Sequence, residues 1–126
     1  MRRWPGDPDR YRLLEWLSFI SAEIHKAFLF PTFWYKDEAS LAKPRARIGE
    51  ILSVPATHLA DREFLVGDRF TVADAHLTWA LLLLRPAVVD TAQWPSLVSY
   101  LARMQARPAV RDAIATEMAL RKTVAA

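Results

Sequence analysis

The chain has 126 residues, 52% of them hydrophobic and 25% charged, with a formal charge of +3 and no cysteine. A chain of this length suits one domain and can bury about two-thirds of its unfolded surface without metal or disulfide staples. The composition excludes disorder, thiolate chemistry and cysteine-ligated zinc, and the bases are too scattered among acids to form a nucleic-acid stripe.

The residues up to Asp7 carry bases but no apolar run behind them, so they read as a linker remnant (1–7) and not as a secretory leader. With the absence of cysteine, this points to the cytoplasm. Asp7 and Pro8 open a first helix as N-cap and first helical residue. Leu13, Leu17, Ile20, Ile24 and Phe28 then recur every three or four residues, which makes one apolar stripe. Pro31 is expected to stop this helix, within an aromatic exit of Phe28, Phe30, Phe33, Trp34 and Tyr35.

A polar stretch leads to a second helical segment from about Leu41 to Asp61, buried through Ile48, Ile51, Leu52 and Leu59. Pro55 lies inside it, removes a backbone donor and crowds the preceding turn, so a break is expected just before it. Phe64 to Asp68 reads as a turn, with Gly67 able to take a positive φ. Thr71-Val72-Ala73-Asp74 forms a variant capping box. The helix it opens, roughly Val72 to Leu84, is apolar nearly all round and belongs in the centre of a bundle. Its Ala80–Leu84 run is too short to span a membrane and ends at Arg85-Pro86.

Trp94-Pro95 opens the next helix, carrying Leu97, Leu101 and Met104. Arg107-Pro108 begins the last, with Val110, Ile114 and Met118 four apart. The tail from Arg121 to Ala126 has no pattern and is expected to fray. The fold class is therefore all-α: a single domain over 1–126, built as a bundle of five to six helices.

Few residues suggest chemistry of their own. Thr71 and Asp74 pair an hydroxyl with an acid, but capping accounts for both, at about 1 kcal/mol per cap. His76 and Trp79 lie one turn apart in an apolar helix and read as packed core. His58 has no partner at metal spacing, so no metal site is expected. The Ser, His and Asp residues show no triad spacing, and there is no glycine-rich phosphate loop.

Three motifs together carry a family likeness. Phe64-Leu65-Val66-Gly67-Asp68-Arg69-Phe70-Thr71-Val72-Ala73-Asp74-Ala75 resembles the turn and capped central helix of the glutathione transferase C-terminal domain. Trp94-Pro95-Ser96-Leu97 and Arg107-Pro108-Ala109-Val110 resemble the openings of its last two helices. Leu14-Glu15-Trp16-Leu17 to Glu23-Ile24-His25-Lys26 is similar to the first helix of the bacterial beta class.

The resemblance implies a helical half whose work is to shape a pocket for a small hydrophobic electrophile. No cofactor is implied; glutathione is the co-substrate of the parent family. His25 and Lys26 match a pair that faces the glutathione thiol and the second substrate. Phe28, Phe33 and Trp34 would line the apolar pocket. Glu23 and Lys26 as an ordinary surface pair, and the aromatics as core or as a surface that the family's other domain covers, are the structural alternatives.

The family's thioredoxin-like glutathione domain has no counterpart in these residues. The chain is then a fragment, a stand-alone domain or half of a split pair, and is expected to be inactive alone, so whether it is an enzyme stays open. Its partner would be a separate thioredoxin-like domain or, through an uncovered apolar face, another copy of itself. The alternative function is a non-enzymatic interaction module, as similar helical domains serve in translation factors and aminoacyl-tRNA synthetases.

Overall fold

Asp7 begins the first helix by accepting a hydrogen bond from the Asp9 N–H at 2.9 Å, with Pro8 in the first turn where its missing donor costs nothing. The computed structural model describes residues 6–125. The N-terminal stretch read as linker therefore lies mostly outside the described residues. Helix α1 spans Pro8–Phe19, continues without interruption as a π-helical segment, Ile20–Leu29, and ends as a short helix α2, Phe30–Trp34.

Pro31 therefore does not stop the helix. The Phe30 N–H bonds the His25 carbonyl five residues back, and beyond it the chain returns to α-helical turns. Pro31 falls in the first turn of α2 and supplies no N–H to the turn before it. The Thr32 hydroxyl donates to the Phe28 carbonyl at 2.8 Å, and the chain leaves the helix only at Tyr35, which is extended.

Asp37 caps helix α3, Glu38–His58, by accepting from the Ser40 N–H at 2.9 Å. The Ser40 hydroxyl and N–H hold the Asp37 carboxyl below its usual pKa. The break expected before Pro55 does not occur, and the helix also carries Pro44. An interior proline costs about 3 kcal/mol, but Pro55 is itself buried, with Ile51, Leu52 and Leu59 buried around it. Nearby carbonyls also find hydroxyl donors: Ser53 Oγ donates to the Glu50 carbonyl at 2.6 Å and Ser96 Oγ to the Ala56 carbonyl at 2.7 Å.

Gly67 takes a φ of +64° in the following turn. Helix α4, Val72–Leu82, starts on the Thr71–Asp74 capping box and packs against α1, the π segment and helix α5, Pro95–Gln105. It is the central helix that its apolar circumference predicts, with Ala73, Leu77, Ala80 and Leu81 all buried. The core joins these to Ile20, Ile24 and Phe28 from the π segment and to Leu97, Tyr100 and Met104 from α5.

Helix α6, Pro108–Ala125, is amphipathic but loosely seated: Val110 and Ile114 are half-buried, and Met118 is exposed. It runs on through Arg121 to Ala125, where a patternless tail is expected from the sequence. Among the described residues there is no strand, and no helix is long and apolar enough to cross a membrane.

Candidate functional site

The π segment places His25 where it meets the central helix. Its ring stands edge-on to Trp79 of α4, with centroids 5.3 Å apart at 68°. His76, one turn earlier on α4, approaches the same indole at 5.7 Å. Burial, and secondarily the charge of His25, push the His76 imidazole below its usual pKa. Trp79 is 37% exposed, so it is not the packed core residue that its place in an apolar helix suggests.

A groove of about 420 Å³ opens beside this cluster. The π segment and α2 supply His25, Leu29, Phe30, Phe33 and Trp34; Trp79, Leu83 and Pro86 form the facing wall, and Arg121 of α6 completes it. The Phe30 and Trp34 rings stack nearly parallel, 12° apart with centroids at 5.5 Å. On the other side of Trp79, a second apolar groove of about 300 Å³ separates α4 from α6, between Ala75 and Leu82 on one helix and Val110 and Ile114 on the other.

The structure gathers three of the five residues singled out for ligand binding. His25, Phe33 and Trp34 line the groove. Lys26 is exposed and lies outside its lining, and Phe28 is fully buried in the core. The stripe through Ile20 and Ile24 turns Phe28 inward, whereas residues 25, 29 and 33, four apart, line the groove, with Leu29 itself buried. Glu23 pairs with Arg47 of α3 at 3.6 Å. Reading the helix in this register would have separated Phe28 from the other aromatics. Trp79 and Arg121 carry no such signal, because their place depends on how α4 and α6 meet the first rod.

Asp74 is a helix cap, as expected, and more than that. It is fully buried. Its carboxylate accepts from the Thr71 N–H at 3.0 Å, the Leu65 N–H at 3.1 Å and the Tyr100 hydroxyl at 2.7 Å. Burial and the adjacent Asp74 charge drive the Tyr100 pKa far upward, so the phenol stays protonated and donates. Thr78 completes the region by donating to the Asp74 carbonyl at 2.7 Å. These bonds saturate the carboxylate, which leaves it a structural post and not an acid for catalysis.

His58 is likewise engaged. Its Nε2 contacts the Leu65 carbonyl at 2.8 Å, which requires Nε2–H, so Nδ1 accepts from Arg62 at 3.0 Å. His25 is different: its ring faces an open, mostly apolar groove. An imidazole there can donate a hydrogen bond to a sulfur or to a departing group on a ligand held against aromatic walls.

Comparison with known proteins shows what the chain is similar to. Residues 18–108 match the family model "Glutathione S-transferase, C-terminal domain". The glutathione S-transferase GstA of Escherichia coli O157:H7 is 34% identical over 110 residues, covering 86% of this chain and 54% of GstA. The structure of a bacterial beta-class glutathione S-transferase from Sphingomonas chungbukensis superposes with a TM-score of 0.83 at 31% identity, covering 91% of this chain and 57% of that one. Elongation factor 1-gamma of Artemia salina is 32% identical over 102 residues, 77% of this chain and 24% of the factor. The chain thus spans about half the length of the transferases that it matches.

Proposed function

The chain belongs to the glutathione S-transferase C-terminal domain family, and from that premise we propose that it is the half of a conjugating site that holds the hydrophobic electrophile. The observation that carries this reading is the aromatic groove with the His25 ring set against Trp79 at its edge. A flat electrophile seated there is held by Phe33, Trp34 and Trp79. The thiolate of glutathione, bound by a thioredoxin-like half, attacks its reactive carbon. A sulfur–carbon bond forms as the bond to the leaving group breaks, and the leaving group departs with the electron pair. His25 donates a hydrogen bond to the sulfur or to the leaving group as charge moves between them. The gain on this side is orientation: two reactants are brought to one geometry before they react.

The division of labour has a direct test. The purified chain is expected to bind 1-chloro-2,4-dinitrobenzene saturably and to leave its reaction with glutathione at the uncatalysed rate. A conjugation rate above background that His25→Ala abolishes would show that the chain is active alone. Absence of binding would remove the electrophile-site reading. The likeness to elongation factor 1-gamma supports a second reading, a docking module without chemistry. It ranks lower because docking gives no reason for an imidazole at the edge of an aromatic groove.

A further inference from the structure

The conjugation step uses His25 and leaves His76 without a part, yet both rings rest on the same indole. His76 precedes Trp79 by three residues on α4, which puts the two side chains on one face of the helix. Their ring centroids stand 5.7 Å apart with the planes tilted by 55°. His25 meets Trp79 from the π segment at 5.3 Å and 68°. Separations and angles of this kind belong to favourable ring pairs. Among the described residues no hydrogen bond holds any of the three side chains. Trp79 lines both apolar grooves and is exposed, so packing confines it less than a core residue. The His76 ring is therefore the contact from its own helix that sets the platform on which His25 rests.

His76 stays uncharged more readily than an ordinary histidine, first through burial and then through the charge of His25. Charged groups on the neighbouring elements are engaged or placed elsewhere. Tyr100 of α5 donates to Asp74, and Glu23 of the π segment pairs with Arg47. Arg12 and Glu15 of α1 line the depression beside His58, and Glu117 of α6 lines the groove between α4 and α6. An uncharged imidazole packs on an indole as a flat ring, whereas two charged imidazoles on one indole would repel each other where screening is poor. We propose that His76 is a positioning residue: its ring fixes the Trp79 indole and, through it, the imidazole of His25 at the edge of the groove. This rests on His25 being the group that addresses the ligand, and it extends that role to a residue outside the groove lining.

The test reads the His25 ring itself, through the proton signals of its imidazole in the full chain without ligand. A ring held 5.3 Å from an indole feels that indole's ring current. His76→Ala is expected to move the His25 signals toward those of a free imidazole. His76→Phe restores a flat ring without a titrating proton and is expected to return them. Affinity for 2-naphthol is expected to fall about three- to tenfold in His76→Ala and to recover in His76→Phe. The His76 signals of the unaltered chain should titrate below the ordinary histidine range, with a midpoint that rises in His25→Ala. Unmoved indole signals of Trp16 and Trp94 show that a variant is folded; where His76→Ala loses them, His76→Leu fills the space without a ring and takes its place. His25 signals that stay still on removal of the His76 ring, or that His76→Phe does not restore, would overturn the proposal. Absence of 2-naphthol binding to the unaltered chain would remove the ligand site, while the His25 signals still decide whether His76 positions that ring.

Discussion

Asp74 shows how much a single residue can hold in a chain of this size. Three donors, the Leu65 and Thr71 N–H groups and the Tyr100 hydroxyl, converge on its buried carboxylate. Each donor left without an acceptor in the interior costs about 1–3 kcal/mol. Asp74→Ala is therefore expected to lose about 3 kcal/mol or more, a large part of the 5–15 kcal/mol typical of a whole domain. Tyr100→Phe removes one bond and should cost about 1–3 kcal/mol. Urea denaturation of the two variants checks both, and a loss near 1 kcal/mol for Asp74→Ala would mean that capping is its whole role. His76 makes the opposite kind of contribution, through a proton that it refuses. Burial, and then the charge of neighbouring His25, depress its folded pKa below the unfolded 6.5. Its contribution is therefore complete above that pH and is lost as pH falls from there through the folded value. His76→Phe should flatten the fall in thermal stability below pH 6.5, and an unchanged acid limb would assign the loss to other groups.

At the scale of elements, local chemistry decides where helices begin more reliably than where they end. Asp7, Asp37 and the Thr71–Asp74 pair all cap as their types dictate. Proline is the poorer guide, since Pro31 and Pro55 both lie within helices that continue past them. The first lies in the opening turn of α2, directly after the π segment, and the second is buried on a well-packed face. The end of α4 shows a mismatch of another kind. After Leu82 the chain closes with the Val88 N–H on the Arg85 carbonyl at 2.9 Å and the Val89 N–H on the Leu84 carbonyl at 2.9 Å. This crossed pair puts Val88 at a φ of +62°, a position that favours glycine. A β-branched residue there costs about 1–2 kcal/mol, and Val88 is 84% exposed, so packing offers no compensation. Val88→Gly is expected to stabilise the chain by about 0.5–1 kcal/mol after the extra entropy of unfolded glycine is subtracted. Thermal denaturation reads this directly, and a lower Tm would show that the valine side chain holds something in place.

For the whole molecule, the all-helical bundle was legible because its signals are periodic and local: the stripe from Leu13 to Phe28, the apolar circumference of α4 and the caps between them. The groove was legible only in part. His25, Phe33 and Trp34 sit on one element, so their spacing could suggest a shared face. Phe28 belongs to the other face of that same rod, and Lys26 lies just off the lining. Trp79 and Arg121 arrive from α4 and α6, and no local pattern in either helix announces that they meet. Tyr100 was hidden for the same reason: it lies 26 residues from the carboxylate to which it donates.

The measurement that reaches the centre of this picture is a two-dimensional ¹H–¹⁵N titration of the chain with 2-naphthol, following the indole N–H signals of its five tryptophans. Trp34 and Trp79 line the proposed groove, whereas Trp16 lines another depression beside His58 and Trp94 is buried. Saturable shifts at Trp34 and Trp79, with Trp16 and Trp94 still, are the predicted result and place the hydrophobic ligand against His25. Shifts at Trp16 with Trp34 and Trp79 unmoved, or no shifts at all, would contradict the groove as the ligand site and leave the docking-module reading in its place.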